Sequence, residues 1–320
     1  MKHHIILDVD TGKDDALALM LAVRHPDLEV RAVTCVEGNT SLEQVVANTL
    51  RVLDLVGAPS DLPVAAGART PLVEPPRDAS MFHGANGLGD LTLPEPTRTV
   101  SELHAVELLR RELLAAEEPL TLVTLAPLTN VALLLRMHPE VRDRIGRIVM
   151  MGGSASRGNA TAVAEFNVWH DPEAAHVVLT SGVPVTLYGL DVFDRVVADD
   201  DVIARLRASD DAVARTAGEL LAHEFVDPRT GERKPYRKIG DAGAVVALVA
   251  PELFAFETWP VQVDLAPGLG RGQTLVDRRD AAGEDLVHGL RGPWPLVDVA
   301  LDVDPRAVLE LFLDTVEGRT

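Results

Sequence analysis

His3-His4-Ile5-Ile6-Leu7-Asp8-Val9-Asp10-Thr11-Gly12-Lys13-Asp14-Asp15 is the stretch whose reading decides the fold. An apolar run ends in carboxylates and a glycine, and a helical pattern follows at once, with Ala16, Leu17, Leu19, Met20, Leu21 and Val23 apolar. Strand, polar turn and helix form the opening unit of an open α/β sheet, in which ligands bind beyond the carboxyl ends of the strands. Asp8 and Asp10 lie two apart and so share one face of a strand. Asp14 and Asp15 suit the first turn of a helix, where carboxylates cap orphan N–H groups and favour the dipole. Aspartates packed this closely repel one another unless something positive sits among them. A hard divalent cation, which takes oxygen ligands, is the simplest such partner.

The alternation continues outward. Residues 28–36 read as a second strand, 41–56 as a helix stopped by Gly57, and 62–67 as a short third strand. After a loop bearing Pro71, Pro75, Pro76, Gly84, Gly87 and Gly89 come helix 101–116, strand 120–125, helix 128–136, strand 147–151, helix 172–181 and strand 184–188. Strands apolar on both faces, alternating with helices, predict an α/β fold: an open, mainly parallel, Rossmann-like sheet flanked by helices. No repeat, low-complexity tract or linker divides the chain, so residues 1–320 are expected to form a single domain.

Composition narrows the partners. With 47% apolar and 25% charged residues the chain can bury a large core. A formal charge of −19 argues against nucleic acid or an anionic membrane as partner, while leaving room for a small neutral ligand or a cation. A single cysteine, Cys35, permits no intrachain disulfide and suits a reducing compartment. Ile5-Ile6-Leu7 is too short for a signal-peptide core, and no apolar stretch of about 20 residues could span a bilayer. A cytoplasmic location is the expectation.

Polar residues gather where strands end. Asn39 follows the second strand, Leu125-Ala126-Pro127-Leu128-Thr129-Asn130 the fourth, Gly158-Asn159, Glu165 and Asn167 the fifth, and Asp191 the sixth. Taken singly, each has a plain structural explanation: a turn at Gly38-Asn39, backbone satisfaction by Asn130, a helix cap at Asp191. Parallel strands present their carboxyl ends to one edge, however, so these residues can converge with Asp10, Asp14 and Asp15 on one crevice. Asp241, before the apolar run Val245, Val246, Leu248, Val249, reads either as an N-cap or as the completion of a cation site.

The segment from Asp8 to Ala16 resembles the N-terminal signature of the nucleoside hydrolases, the inosine–uridine preferring N-ribohydrolase family. The resemblance continues through Val36-Glu37-Gly38-Asn39, Phe82-His83-Gly84-Ala85-Asn86-Gly87-Leu88-Gly89, Ala126-Pro127-Leu128-Thr129-Asn130, Val149-Met150-Met151-Gly152-Gly153, the stretch from Gly158 to Asn167, Asp171-Pro172-Glu173-Ala174, and a late strand pair around 271–277. It implies Ca²⁺-dependent hydrolysis of the N-glycosidic bond of ribonucleosides by a homodimer or homotetramer. Carried over by position, it implies that Asp10, Asp15, Asp241 and the backbone carbonyl of Leu125 hold the metal. Asp14, Asn39 and Asn167 would bind the ribose hydroxyls, and Asn159 and Glu165 the 5′-hydroxyl. Asp10 would be general base on the metal-held water, with Asn39 beside it in the catalytic pair. Cleavage of a C1′–N bond passes through an oxocarbenium-like sugar, which a net negative site favours.

Two departures stand out. Thr11 replaces the signature's usual proline, with no side-chain role implied. Gly240 stands where many family members carry a histidine that protonates a purine leaving group, and glycine donates no side-chain proton. The polar, turn-rich segment 223–238 has the character of an active-site lid. Within it His223, Tyr236 and Arg237 are candidate leaving-group contacts, as is His83 in the other loop. Two further readings stay open on sequence: a non-catalytic nucleoside- or ribose-binding relative, because of Gly240, and a haloacid-dehalogenase-like phosphatase with Asp8 as nucleophile. The second lacks a clear basic clamp for a phosphoryl group.

Overall fold

A computed structural model of the chain describes residues 2–289 and 292–319. Its strands, in chain order, are β1 (His3–Val9), β2 (Leu28–Cys35), β3 (Val64–Ala66), β4 (Leu120–Thr124), β5 (Ile145–Met151), β6 (Val185–Tyr188), β7 (Glu224–Val226), β8 (Arg233–Pro235), β9 (Phe254–Val263), β10 (Thr274–Val276) and β11 (Leu296–Val303). Nine of them form one sheet in the order β10-β9-β11-β6-β5-β4-β1-β2-β3. Pairing is parallel from β3 to β11, and antiparallel where β9 joins β11 and β10 joins β9. β7 and β8 form a separate antiparallel hairpin.

The order explains where the crevice falls. From β1 the chain builds first through β2 to β3, then returns to add β4 on β1's other side. Connections therefore leave β1 and β4 in opposite directions, and their carboxyl ends border a topological switch point. Asp10 follows β1 and Leu125 follows β4 at that point. Both sheet faces are covered, with one apolar cluster around Leu17, Leu21, Val45, Val246 and Phe312 and another around Leu109, Val131, Ile148 and Val178. Strands buried on both faces follow from that covering.

The helices begin where local chemistry starts them. Ser41 accepts from the backbone N–H of Gln44 ahead of the Leu42–Leu55 helix, and Asp171 from that of Ala174 ahead of the Pro172–Leu179 helix. Helix 101–116 of the sequence reading starts later, at Ala105, because His104 caps it through the Val106 N–H. The parallel half matches the reading of the chain to within a few residues. The late strand pair expected around 271–277 contains β10, whereas β9, β11 and the helices Asp200–Arg207, Ala212–Ala222 and Pro305–Val316 were not read from the sequence. Thr11 is a correction: its buried hydroxyl lies 2.6 Å from that of Thr49, tying the β1 turn to the Leu42–Leu55 helix. Among the described residues no helix is long and apolar enough to cross a membrane.

Candidate functional site

The Lys13–Arg24 helix starts after Gly12, and the Asp15 carboxylate folds back onto its entrance. Asp15 accepts from the Gly12 N–H at 2.9 Å and the Asp10 N–H at 3.2 Å. Asn39, held at the end of β2, lays its amide across two acids: its Nδ2 donates to Asp10 Oδ1 at 3.1 Å and Asp15 Oδ2 at 3.2 Å, and its N–H to Asp10 Oδ2 at 2.7 Å. Gly38 must be glycine for this, since a Cβ there would stand 2.1 Å from Asp10 Oδ2.

Asp241 arrives from far along the chain. It precedes the Ala242–Val249 helix but makes no side-chain capping bond. One oxygen each from Asp14, Asp15 and Asp241 lie within 4.8 Å of one another, and all three residues are buried. Asp14 Oδ1 has no hydrogen-bond partner although it is buried. Among the described residues no lysine or arginine forms an ion pair with Asp10, Asp15 or Asp241. Burial pushes Asp15 up to about 7, with Asp14's charge adding to it, and drives Asp10 and Asp241 well above the usual carboxylate range. A cluster of carboxylate oxygens, desolvated and without a paired lysine or arginine, fits a hard dication. The family resemblance implied Asp10, Asp15, Asp241 and the Leu125 carbonyl as ligands; the structure groups Asp14, Asp15 and Asp241, with Asp10 joined to them through Asp15 and Asn39.

The far wall comes from β4, β5 and the Phe166–His170 helix. Asn167 Nδ2 donates to the Leu125 carbonyl at 3.0 Å and to that of Met151 at 3.2 Å. Glu165 caps the helix, accepting from the N–H groups of Gly153, Asn167 and Val168, and burial lifts it to about 7. Asn159 is exposed and accepts from the Phe166 N–H at 2.9 Å. Asp191 fixes the adjoining loop through the Ala155 N–H at 2.7 Å.

The roof is the β7–β8 hairpin and the loop around the Ser80–His83 helix. Tyr236 donates its hydroxyl to Asp14 Oδ2 at 2.8 Å. His83 lies 3.7 Å from Asp14 and accepts at Nδ1 from the Lys13 N–H, so its proton sits on Nε2; burial pulls it down to about 4 and keeps it neutral. His223 lies against Gly89, and burial lowers its pKa. Arg237 turns away from the cleft and pairs with Asp200 at 2.6 Å. Asp8 lies beneath the site, 2% exposed, held by Thr34 at 2.6 Å and Asn130 at 2.8 Å. A nucleophile needs access that this carboxylate lacks. Asn130 also satisfies Cys35 O and the Ala68 N–H, as its plain structural reading expected.

Two features escaped the sequence reading. Lys13 is fully buried, and His170 pairs with Glu37 at 2.9 Å, joining the Asn39 turn to the Asn167 helix. The pairing left no sequence signal; Lys13, a lysine in the first turn of an apolar helix, was a visible anomaly.

Residues 5–310 match the family model described as inosine-uridine preferring nucleoside hydrolase. A pyrimidine-specific ribonucleoside hydrolase of Photobacterium profundum is 44% identical over 282 residues, covering 87% of this chain and 90% of that protein. A namesake from Escherichia coli is 39% identical over 98% of both chains. Among solved structures, an inosine-guanosine nucleoside hydrolase superposes with a TM-score of 0.86 at 32% identity, covering 98% of this chain and 99% of that one. A plant nucleoside hydrolase gives 0.88 at 28%, covering 99% of both.

Proposed function

The chain belongs to the inosine-uridine preferring nucleoside hydrolase family, and from that premise we propose that it hydrolyses the N-glycosidic bond of ribonucleosides, pyrimidine nucleosides before purine ones, with Ca²⁺ as cofactor. The observation that carries the reading is the meeting of the adjacent pair Asp14 and Asp15 with Asp241, more than 200 residues away, in one buried cluster of carboxylate oxygens. Asp10, Asp15, Asp241 and the Leu125 carbonyl would hold the metal, which would supply charge neutralisation and lower the pKa of a nearby water. Asp10 holds the attacking water and takes its proton, a role worth ~10²–10⁴-fold. Asn39 keeps Asp10 oriented through its two hydrogen bonds. Asp14, Asn39 and Asn167 bind the ribose hydroxyls, and Glu165 and Asn159 the 5′ end. The ring of carboxylates favours the positive charge that develops on the sugar.

On the leaving-group side Gly240 offers no acid, while Tyr236 and His83 stand beside Asp14 with ring centroids 6.3 Å apart. Pyrimidine preference is supported by the names of the relatives above and by this missing acid. The test is ribose release from uridine, cytidine, inosine and adenosine, with chelator and after Ca²⁺ re-addition. Chelator-suppressed release, restored by Ca²⁺ and fastest with uridine or cytidine, is expected. Tight binding without release would make the protein a nucleoside-binding relative. A homodimer or homotetramer is part of the same proposal, and light scattering measures it.

A further inference from the structure

Lys13 breaks two local rules at once. It carries positive charge into the first turn of a helix, where the dipole is also positive, and it does so with none of its side chain exposed. Among the described residues no carboxylate pairs with its ammonium within salt-bridge distance. Instead Nζ donates to the Phe82 carbonyl at 2.6 Å and stands 4.0 Å above the centre of the Tyr236 ring. Those partners come from the two segments that roof the cleft. The segments also touch each other, Phe82 and Phe225 placing their ring centroids 5.2 Å apart and Gly89 lying against His223.

We propose that Lys13 is the positioning residue of the roof: rooted in the rigid helix that bears Asp14 and Asp15, it pins the Phe82 loop and the Tyr236 hairpin together over the cleft, so that the Tyr236 hydroxyl reaches Asp14. The covered ammonium cannot touch substrate while the roof is down, which separates this role from base recognition. The pin works by the carbonyl and the ring face together, and a desolvated cation over an aromatic face is among the stronger contacts of its kind. The proposal rests on the hydrolase reading, because only then does the roof close on a nucleoside.

The test compares the metal-loaded wild type with Lys13→Met, Lys13→Arg, Tyr236→Phe and Tyr236→Leu. Hydrogen exchange is followed in peptides covering 223–238 and in β5, and uridine kinetics are measured alongside. Methionine keeps the length of the stem and removes a buried charge, a change folds commonly tolerate. Lys13→Met is expected to speed roof exchange and raise KM for uridine by about tenfold each, with kcat within about threefold and β5 exchange unchanged. Lys13→Arg reverses most of both effects. Tyr236→Leu, which removes the ring but leaves Lys13, loosens the roof as Lys13→Met does, whereas Tyr236→Phe keeps it closed. Roof exchange in Lys13→Met within twofold of wild type, or Lys13→Arg as loose as Lys13→Met, overturns the proposal. Should the wild type release no ribose from any nucleoside, the hydrolase reading fails, and the exchange comparison still decides the role of Lys13.

Discussion

Placing a histidine at position 240 is the direct way to supply the leaving-group acid that the family resemblance implies at this position. The geometry says it will do the reverse. Gly240 sits at φ +55°, in the left-handed region, where a side chain costs ~1–2 kcal/mol. A Cβ there would lie 2.5 Å from Asp14 Cβ and 3.2 Å from Phe193 Cζ. Ordinary carbon contacts begin near ~3.5 Å, so Asp14 must retreat by about 1 Å. Misplacing a site residue by that much can cost ~10²-fold in rate, and Asp14 belongs both to the carboxylate cluster and to the proposed ribose contacts. Gly240→His is therefore expected to lose ~10²-fold in kcat/KM on uridine and inosine alike. Gly240→Ala, which adds the clash without an acid, should lose nearly as much. Steady-state ribose release gives both numbers. A Gly240→His enzyme that gains tenfold or more on inosine while keeping its uridine activity would refute the reasoning, because the backbone would then have accepted the side chain without moving Asp14.

Three further outcomes follow from the same contacts. Asp241→Ala removes a member of the oxygen cluster, so hydrolysis should fall by more than ~10²-fold at a Ca²⁺ concentration that saturates the wild type, read by ribose release across a Ca²⁺ titration. Chelated wild type should melt lower than metal-loaded protein, and Ca²⁺ at about 100 times its dissociation constant should restore ~2.7 kcal/mol, measurable by calorimetry; identical melting with and without metal would remove the cation from the site. His170→Ala leaves Glu37 buried without its hydrogen-bond partner, which should cost ~1.5–3 kcal/mol in urea unfolding, while Glu37→Leu combined with His170→Leu should recover most of it.

Strand-to-helix alternation exposed the parallel half of the fold because its strands are largely buried on both faces and are separated by apolar helices bounded by turn residues. The antiparallel edge was harder: β9 is buried only at Phe254, Val261 and Val263, with half-buried or exposed residues between, and it contains Pro260, so it carries no clean period. At the site, the carboxylates were legible because four acids at a strand end are chemically extravagant. Their roles were not. Asp8 and Asp10 share a face in an ideal strand, yet β1 ends at Val9, and beyond it Asp10 turns into the crevice while Asp8 stays beneath, bound by Thr34 and Asn130. Period-2 reasoning cannot see where a strand stops. Thr11, Lys13 and the Glu37–His170 pair depend on partners dozens of residues away, so only the assembled structure reveals them.

The placement of positive charge ties these observations together. A chain that brings several carboxylates into one desolvated pocket has an obvious remedy in a neighbouring lysine, and Lys13 is adjacent in sequence to Asp14. It is not used that way: its ammonium is drawn off to the Phe82 carbonyl and the Tyr236 ring, leaving the acids to one another. A resident lysine would neutralise the cluster permanently and fill the space where, on the proposed mechanism, a sugar and a water approach Asp10. An exchangeable dication neutralises the same charge while keeping open coordination positions toward the ligand, since Ca²⁺ accepts six to eight oxygens. With Lys13 in its proposed role, the fold keeps its nearest cation for the roof and leaves the floor acidic, an arrangement that suits the proposed reaction, in which positive charge develops on the sugar.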